Sequence, residues 1–108
     1  MFQIVKNNIR MIRGDTGAMD LALTDEAGNV IEPEAYSAIF SLKRSIDDVP
    51  YIMQKTFVDG KISFTHADTN NLPAGQYTYD IQVEITQDSS IHTIGPATFV
   101  IMPDVTRE

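Results

Sequence analysis

The 108-residue chain contains no cysteine and no tryptophan. Without cysteine it can form neither a disulfide nor a thiolate metal site, so no covalent crosslink supports the fold. A chain of this length suits one domain, which buries roughly two thirds of its unfolded surface. The core must therefore be built from isoleucine, valine, leucine, methionine, phenylalanine and tyrosine.

Positive charge is scarce. Eight lysines and arginines stand against fifteen aspartates and glutamates, which gives a net charge of −7 at pH 7. No lysine or arginine occurs between Ile62 and Thr106. Such a surface repels nucleic acid and anionic membranes, so we expect neither as a partner. The simpler interpretation of the charge, that it keeps the domain soluble, remains open.

Long apolar runs are also missing. No segment of the chain reaches the roughly 18 apolar residues that a bilayer span requires. The first eight residues, Met-Phe-Gln-Ile-Val-Lys-Asn-Asn, lack the apolar core of a signal peptide. We therefore expect a protein that is made in the cytoplasm and stays there, unless it leaves as part of a larger assembly.

The clearest pattern in the chain runs from Leu72 to Thr86. A Pro-Ala-Gly turn opens this segment, and strict alternation of side chains follows it. A period of two is typical of a strand with one buried face. The apolar row comprises Tyr77, Tyr79, Ile81, Val83 and Ile85, and the polar row comprises Thr78, Asp80, Gln82, Glu84 and Thr86.

Weaker alternation elsewhere predicts about seven or eight strands in all. The other predicted strands are edge pieces within 2–13, a strand over 17–24, a strand with the inward row Tyr36, Ala38, Phe40 and Leu42, an edge strand over 52–58, and strands over 61–65 and 91–102. Asp59-Gly60 predicts a two-residue hairpin, residues 25–29 a turn, and Gly95-Pro96 a bulge on an edge. Residues 66–72 predict a single helical turn.

This pattern predicts an all-β domain over residues 1–103, with a short tail over residues 104–108. Turn signals recur every 8–12 residues without a helical pattern, as in antiparallel sandwiches with Greek-key connections. Gly75-Gln-Tyr77-Thr-Tyr79 resembles the tyrosine corner of immunoglobulin-like domains, in which the tyrosine hydroxyl bonds back to the preceding backbone. Tyr77 would be that tyrosine. Since no cysteine or tryptophan is present, antibody and receptor families are excluded.

A resemblance extends over nearly the whole chain. The segments that carry it, in order, are Arg13-Gly-Asp-Thr16, Leu23-Thr-Asp-Glu-Ala-Gly-Asn-Val30, Ala38-Ile-Phe-Ser-Leu-Lys-Arg-Ser45, Gln54-Lys-Thr56, Leu72-Pro-Ala-Gly-Gln-Tyr-Thr-Tyr-Asp-Ile81 and Phe99-Val-Ile-Met-Pro-Asp-Val-Thr-Arg107. Together they are similar to the immunoglobulin-like N-terminal domain of phage baseplate upper proteins and of related phage and prophage tail and virion proteins.

The resemblance implies a non-enzymatic structural module of a virion, in the tail or baseplate, that docks through its sheet faces or edges. Its implied partners are other virion or tail proteins, or further copies of the chain. Members of that family usually continue into further domains, whereas this chain ends at Glu108. We therefore expect either a free-standing small virion protein or one domain of a longer protein.

One sheet face is a candidate interaction surface. If the strand of Phe40 pairs with the strand of Tyr79, as in immunoglobulin folds, their outward rows form one face. The predicted members are Ile39, Lys43, Asp80, Gln82, Glu84 and Ile94. Lys43 could neutralise Asp80 or Glu84 across the strands, and the two isoleucines would form a small apolar patch. The competing interpretation is an ordinary solvated sheet face.

Other candidate sites have simpler explanations. Arg13-Gly14-Asp15 spells an integrin-binding tripeptide, but Gly14 suits a turn before a strand. His66 and His92 lack metal-ligand spacing and are predicted to lie on the surface. Asp47-Asp48 lacks the calcium-loop pattern, and turn chemistry accounts for Asp25-Glu26 and Asn29. We therefore predict no catalytic residue, no cofactor and no metal site.

Two alternative functions stay open. A carbohydrate-binding or host-surface adhesion module would need exposed aromatic side chains, for which Tyr51 and Tyr36 are the candidates near loops, and Tyr36 is expected to be buried. An enzyme would need a cleft with a convergent polar cluster. The sequence contains no nucleophile elbow, phosphate-binding loop or dinucleotide fingerprint, so we predict that the chain is not an enzyme.

Overall fold

A computed structural model describes residues 2–5, 8–45, 47 and 50–104. Within them lie eight strands: β1 (Phe2–Val5), β2 (Asn8–Ile12), β3 (Gly17–Asp20), β4 (Tyr36–Lys43), β5 (Met53–Thr56), β6 (Lys61–Phe64), β7 (Gly75–Ile85) and β8 (Ile91–Met102). A 3-10 turn spans Pro33–Ala35 and one α-helical turn, α1, spans His66–Thr69. The all-β class, the strand number and the single helical turn are thus confirmed.

The strands form two sheets. Six strands lie in the order β1-β2-β8-β7-β4-β5, and β3 pairs with β6 in a smaller second sheet. Every pair is antiparallel except β2 with β8, in which Ile9 lies opposite Phe99 and Ile12 opposite Met102 in the same direction. The prediction of a purely antiparallel arrangement is therefore wrong at this pair. β2 lies along the edge of β8 that β7 leaves free, and β1 pairs with the other edge of β2.

The core lies between the two sheets. The predicted inward rows of β4 and β7 are buried except for Ile85, which is partly buried, and Ile62 and Phe64 of β6 face them. The ring centroids of Phe40 and Phe64 are 5.3 Å apart, and those of Phe64 and Phe99 are 5.7 Å apart. Each such side chain contributes about 1.5–3 kcal/mol when buried. Aromatic packing therefore joins the two sheets without a disulfide.

The Asp59-Gly60 turn forms, but it does not join partner strands. Both residues have positive φ, 52° and 76°, as a tight two-residue turn requires. One bridge, between Val58 and Lys61, closes the turn. Beyond it β5 pairs with β4 while β6 pairs with β3. The predicted pairing of the two flanking strands is wrong. The inward side chains of β6 pack into the core from the second sheet, so the chain crosses between the sheets at this turn.

The strand predicted over 17–24 ends early, at Asp20. Residues 21–31, here called the 21–31 loop, fold back on themselves through a single bridge between Thr24 and Val30. The predicted turn at its tip is confirmed, since Asp25 Oδ1 accepts 2.9 Å hydrogen bonds from the backbone of Ala27 and of Asn29. Gly28 there has a φ of 86°, a conformation that glycine adopts without strain.

The predicted bulge at Gly95-Pro96 is also present. Tyr79 lies opposite Ala97, but Ile81 lies opposite Ile94, so two residues of β8 face the single residue between them on β7. Among the described residues, β2 covers only the Phe99–Met102 end of β8. The bulge therefore lies in the half of β8 that forms an open edge, although β8 as a whole is an inner strand of the sheet.

The predicted tail begins with a residue that is attached to the domain. Asp104 forms an ion pair with Arg13, with an N–O distance of 2.9 Å. The other tail residues, 105–108, lie outside the described residues. None of the helices in the described part of the chain is long and apolar enough to cross a membrane.

Candidate functional site

Five of the six predicted interaction residues share one surface, here called the outer face: the side of the six-stranded sheet that points away from β3 and β6. Ile39 lies opposite Gln82 in the β4–β7 ladder. Strand alternation places the side chains of Lys43, Asp80 and Glu84 on the same side. Ile39 is 40% exposed although it is apolar and lies near the middle of the sheet. The outer face therefore offers an apolar contact within a polar surround.

Lys43 does not neutralise the carboxylates as predicted. Its Cα lies opposite Thr78, and its Nζ lies 4.9 Å from the centroid of the Tyr51 ring, a cation–π contact. Within the described part of the chain, no ion pair joins Lys43 to Asp80 or Glu84. The outer face thus keeps its negative charge, and Tyr51, which is 54% exposed, extends its apolar surface.

Ile94 does not belong to the outer face. Alternation counted back from the buried Phe99 points Ile94 outward, but the bulge inserts an extra residue and reverses the alternation. Ile94 therefore lies opposite the buried Ile81 and packs against the core. Its place on the outer face is taken by Ile91, which lies opposite Glu84 and is 58% exposed.

A second surface is a groove of about 510 Å³ at one end of the two sheets. Its residues are Leu23, Thr24, Asp25, Glu26, Ile31, Val83, Ile85, Asp88, Ser90, His92 and Ile94. It exists because β7 and β8 are 11 and 12 residues long, whereas β3 and β6 have four each. The small sheet cannot cover the far ends of the long strands, and the 21–31 loop forms the opposite wall.

The groove combines an apolar floor with an acidic rim. Val83, Ile85 and Ile94 come from the long strands, and Leu23 and Ile31 come from the 21–31 loop. Three carboxylates, those of Asp25, Glu26 and Asp88, stand at the rim, and no lysine or arginine is among the lining residues. Among the described residues that line the groove, His92 is therefore the only one that can carry a positive charge.

A polar chain of three side chains lies on the β7–β8 turn. Ser90 Oγ is 2.6 Å from Asp88 Oδ1 and 3.1 Å from His92 Nε2. A carboxylate can only accept, so the serine proton points to Asp88 and the imidazole must donate to Oγ. The hydrogen bonds from the Ser90 hydroxyl and backbone hold the pKa of Asp88 below its ordinary value. This order leaves the serine without a base, unlike the serine–histidine–aspartate triad.

The Arg13-Gly14-Asp15 segment is bound into the fold. Arg13 contacts Asp104, the backbone amide of Gly14 donates to Thr69 Oγ1 at 2.8 Å, and His66 Nδ1 donates to the carbonyl of Gly14 at 2.8 Å. Gly14 has a φ of 84°. These contacts support the turn interpretation of this tripeptide. Both predicted surface histidines, His66 and His92, are exposed, and each also makes a hydrogen bond.

Tyr77 makes the bond predicted for a tyrosine corner. Its hydroxyl donates to the carbonyl of Pro73 at 2.6 Å, and the Arg44 guanidinium lies 4.7 Å from its ring centroid. Tyr36 is buried, as expected, and it has no hydrogen-bond partner for its hydroxyl among the described residues. Burial raises the pKa of Tyr36.

The predicted turn residues lie in turns. Asp47 is exposed in a turn, and Asp48 lies outside the described residues. Across the described ranges, no group of three or more histidine, aspartate and glutamate side chains is arranged to hold a metal ion.

The groove is the feature that sequence reasoning missed. The mismatch between two long strands and short partners was its only signal.

Comparison with known proteins adds no family to this geometry. The chain matches no protein-family model and no curated protein.

Proposed function

We propose that the chain is a non-enzymatic structural module of a phage or prophage virion, in the tail or baseplate, that docks through its outer face. The observation that carries the docking role is the set of exposed apolar side chains on that face, Ile39, Tyr51 and Ile91. The virion context comes from the ordered sequence segments described above. In the free particle the proposed partners are neighbouring virion proteins or further copies of the chain.

We further propose that the fold is an immunoglobulin-like sandwich. Its support is the pairing order, in which β4, β7 and β8 form a sheet extended by β5 while β3 pairs with β6. Immunoglobulin domains pair their C, F and G strands, extended by C′, and their B and E strands in the same way. The Tyr77 bond adds the corner typical of that fold. One departure is that β1 and β2 join the larger sheet.

The outer face has the composition of a docking surface. Partner surfaces combine an apolar centre with a polar rim, and Ile39 lies between polar neighbours, opposite Gln82 on one side and Thr56 on the other. The remaining charge on the face comes mainly from Asp80 and Glu84, which favours a partner surface that is neutral or basic. Since no disulfide is needed, such a module can fold in the reducing cytoplasm before particles assemble.

Mass spectrometry of purified particles tests the virion role. Particles induced from the bacterium that encodes the chain are purified by density gradient, digested and quantified. The chain should be present at a fixed ratio to known tail proteins across independent preparations. Its absence from particles, or a gene located far from every virion gene, would contradict the proposal.

The carbohydrate-binding alternative has weaker support. Tyr51 is the aromatic side chain that the outer face exposes, and Lys43 already occupies one face of its ring. The groove contains no aromatic residue on which a sugar ring could stack. A glycan array should therefore give no hits. A specific hit that disappears in Tyr51→Ala would favour the adhesion module instead.

A further inference from the structure

We propose that the groove, together with the open edge of β8, binds an extended segment of a partner protein in which every second residue is apolar or basic. The inference rests on the proposed function only in treating the chain as a docking module, because it concerns a surface on the opposite side of the sheet from the outer face. Two independent features lead to it, the open edge of the strand and the charge of the groove.

The first feature is the edge. Because Ile85 N donates to Ser90 O, the alternation of an antiparallel ladder turns the backbone groups of Ile91 and Thr93 away from β7. No strand among the described residues covers this half of β8, since β2 pairs only with Phe99–Met102. An unpaired edge of this kind accepts an added strand, in which main-chain hydrogen bonds supply affinity.

The second feature is the groove beside that edge. His92 and Ile94 of β8 line it, so every second side chain of an added strand would point into the groove. The apolar floor suits leucine, isoleucine or valine there. Asp25, Glu26 and Asp88 stand at the rim, so a lysine or arginine in the same inward-pointing row, two positions from an apolar residue, would meet carboxylates. Charge complementarity thus selects a basic segment and rejects an acidic one.

Other occupants fit less well. A second copy of the chain would bring a net charge of −7 to an acidic rim. A sugar would find no aromatic platform. A folded basic helix would leave the edge groups of Ile91 and Thr93 unpaired.

Selection from a displayed library of random decapeptides, with the full chain immobilised, tests the proposal. Enriched peptides should carry net positive charge and place apolar and basic residues at every second position. The best synthetic peptide should bind in solution and shift the backbone amide NMR signals of residues 23–31 and 91–97, and leave those of Ile39 and Tyr51 unchanged. No enrichment, or enrichment of acidic peptides, would overturn the proposal.

Three variants separate the parts of the site. Glu26→Lys reverses an exposed charge at the rim and should weaken the peptide about tenfold at low salt. Thr93→Pro removes an edge amide without touching the groove side chains and should weaken it by at least about tenfold. Glu84→Lys is the matched control, because its side chain is on the outer face, and should change binding by less than about twofold.

The amide spectrum of each variant reports its folding before binding is measured. If Glu84→Lys weakens the peptide as much as Glu26→Lys does, the groove assignment is wrong. Ile39→Asp should leave peptide binding unchanged. A failed selection alongside loss of the Ile39→Asp chain from particles would therefore overturn this inference and leave the proposed function standing.

Discussion

The hydroxyl of Tyr77 donates a 2.6 Å hydrogen bond to the carbonyl oxygen of Pro73, four residues earlier in the chain. The ring is 2% exposed, so the bond fixes the corner at which the chain enters β7. Since β7 pairs with both β4 and β8, the position of this corner sets the register of the whole central sheet.

Tyr77→Phe should lower the free energy of unfolding by about 1 kcal/mol, because it removes this bond and leaves the ring packing in place. Urea denaturation followed by tyrosine fluorescence or circular dichroism measures the change. An unchanged midpoint would show that the bond contributes nothing to the corner.

Tyr36→Phe is the matched comparison, and we expect the opposite sign. The Tyr36 hydroxyl is buried and has no partner among the described residues. Removing an unpaired buried hydroxyl should leave stability unchanged or raise it by up to about 1 kcal/mol. The same urea titration tests this, and a loss as large as that of Tyr77→Phe would reveal a hydrogen bond to Tyr36 that the structure does not contain.

Stability should fall in acid through Asp68. Partial burial alone would raise the pKa of this carboxyl, but the hydrogen bonds from Lys55 and the Thr65 backbone outweigh burial and hold the pKa below its ordinary value. The stabilisation is therefore present above the unfolded pKa, near about 4, and is lost as pH falls through the lower folded pKa.

The variant Asp68→Asn keeps one side-chain oxygen as an acceptor but loses the negative charge. It should be less stable than the wild type by about 1 kcal/mol at pH 7. The difference should shrink as pH falls below about 4. Unfolding free energies of both chains between neutral and acid pH measure it. A difference that stays constant with pH would contradict the assignment.

Arg13→Ala should destabilise the fold by roughly 1–3 kcal/mol, because it leaves the largely buried Asp104 carboxylate without its cation. The two side chains are 20% and 12% exposed. Arg10→Ala, in β2 just before Arg13, removes an exposed arginine and should cost less than about 0.5 kcal/mol. Equal losses in thermal unfolding would show that the ion pair does not hold the start of the predicted tail.

Local alternation of apolar and polar residues predicts most of the strands. The buried rows of β4 and β7 were predicted residue by residue, since a half-buried strand imprints its period directly on the sequence. Partnership between strands was harder to predict. The Asp59-Gly60 turn has the chemistry of a hairpin, yet β5 and β6 lie in different sheets, because the choice of partner depends on distant core side chains such as Phe40 and Phe64 rather than on the turn.

The outer face shows where prediction from local alternation fails. A bulge was predicted at Gly95-Pro96, and its consequence is that alternation on one side of it cannot be carried across to the other. Ile94 was therefore placed on the wrong side, and Ile91 was missed. The groove was missed for a related reason. It arises from strand lengths and from the path of the 21–31 loop, neither of which leaves a local pattern in the sequence.

Incorporation of single variants into particles tests whether the chain docks through its outer face. Particles are assembled in cells that express wild-type chain, Ile39→Asp, or Val58→Asp, and the amount of chain per particle is quantified by mass spectrometry. Val58 is 69% exposed after the end of β5 and is not one of the exposed apolar residues Ile39, Tyr51 and Ile91 of the outer face, so Val58→Asp controls for the new charge. We predict that Ile39→Asp falls at least about tenfold below wild type while Val58→Asp is incorporated normally. Equal incorporation of all three chains would contradict docking through the outer face.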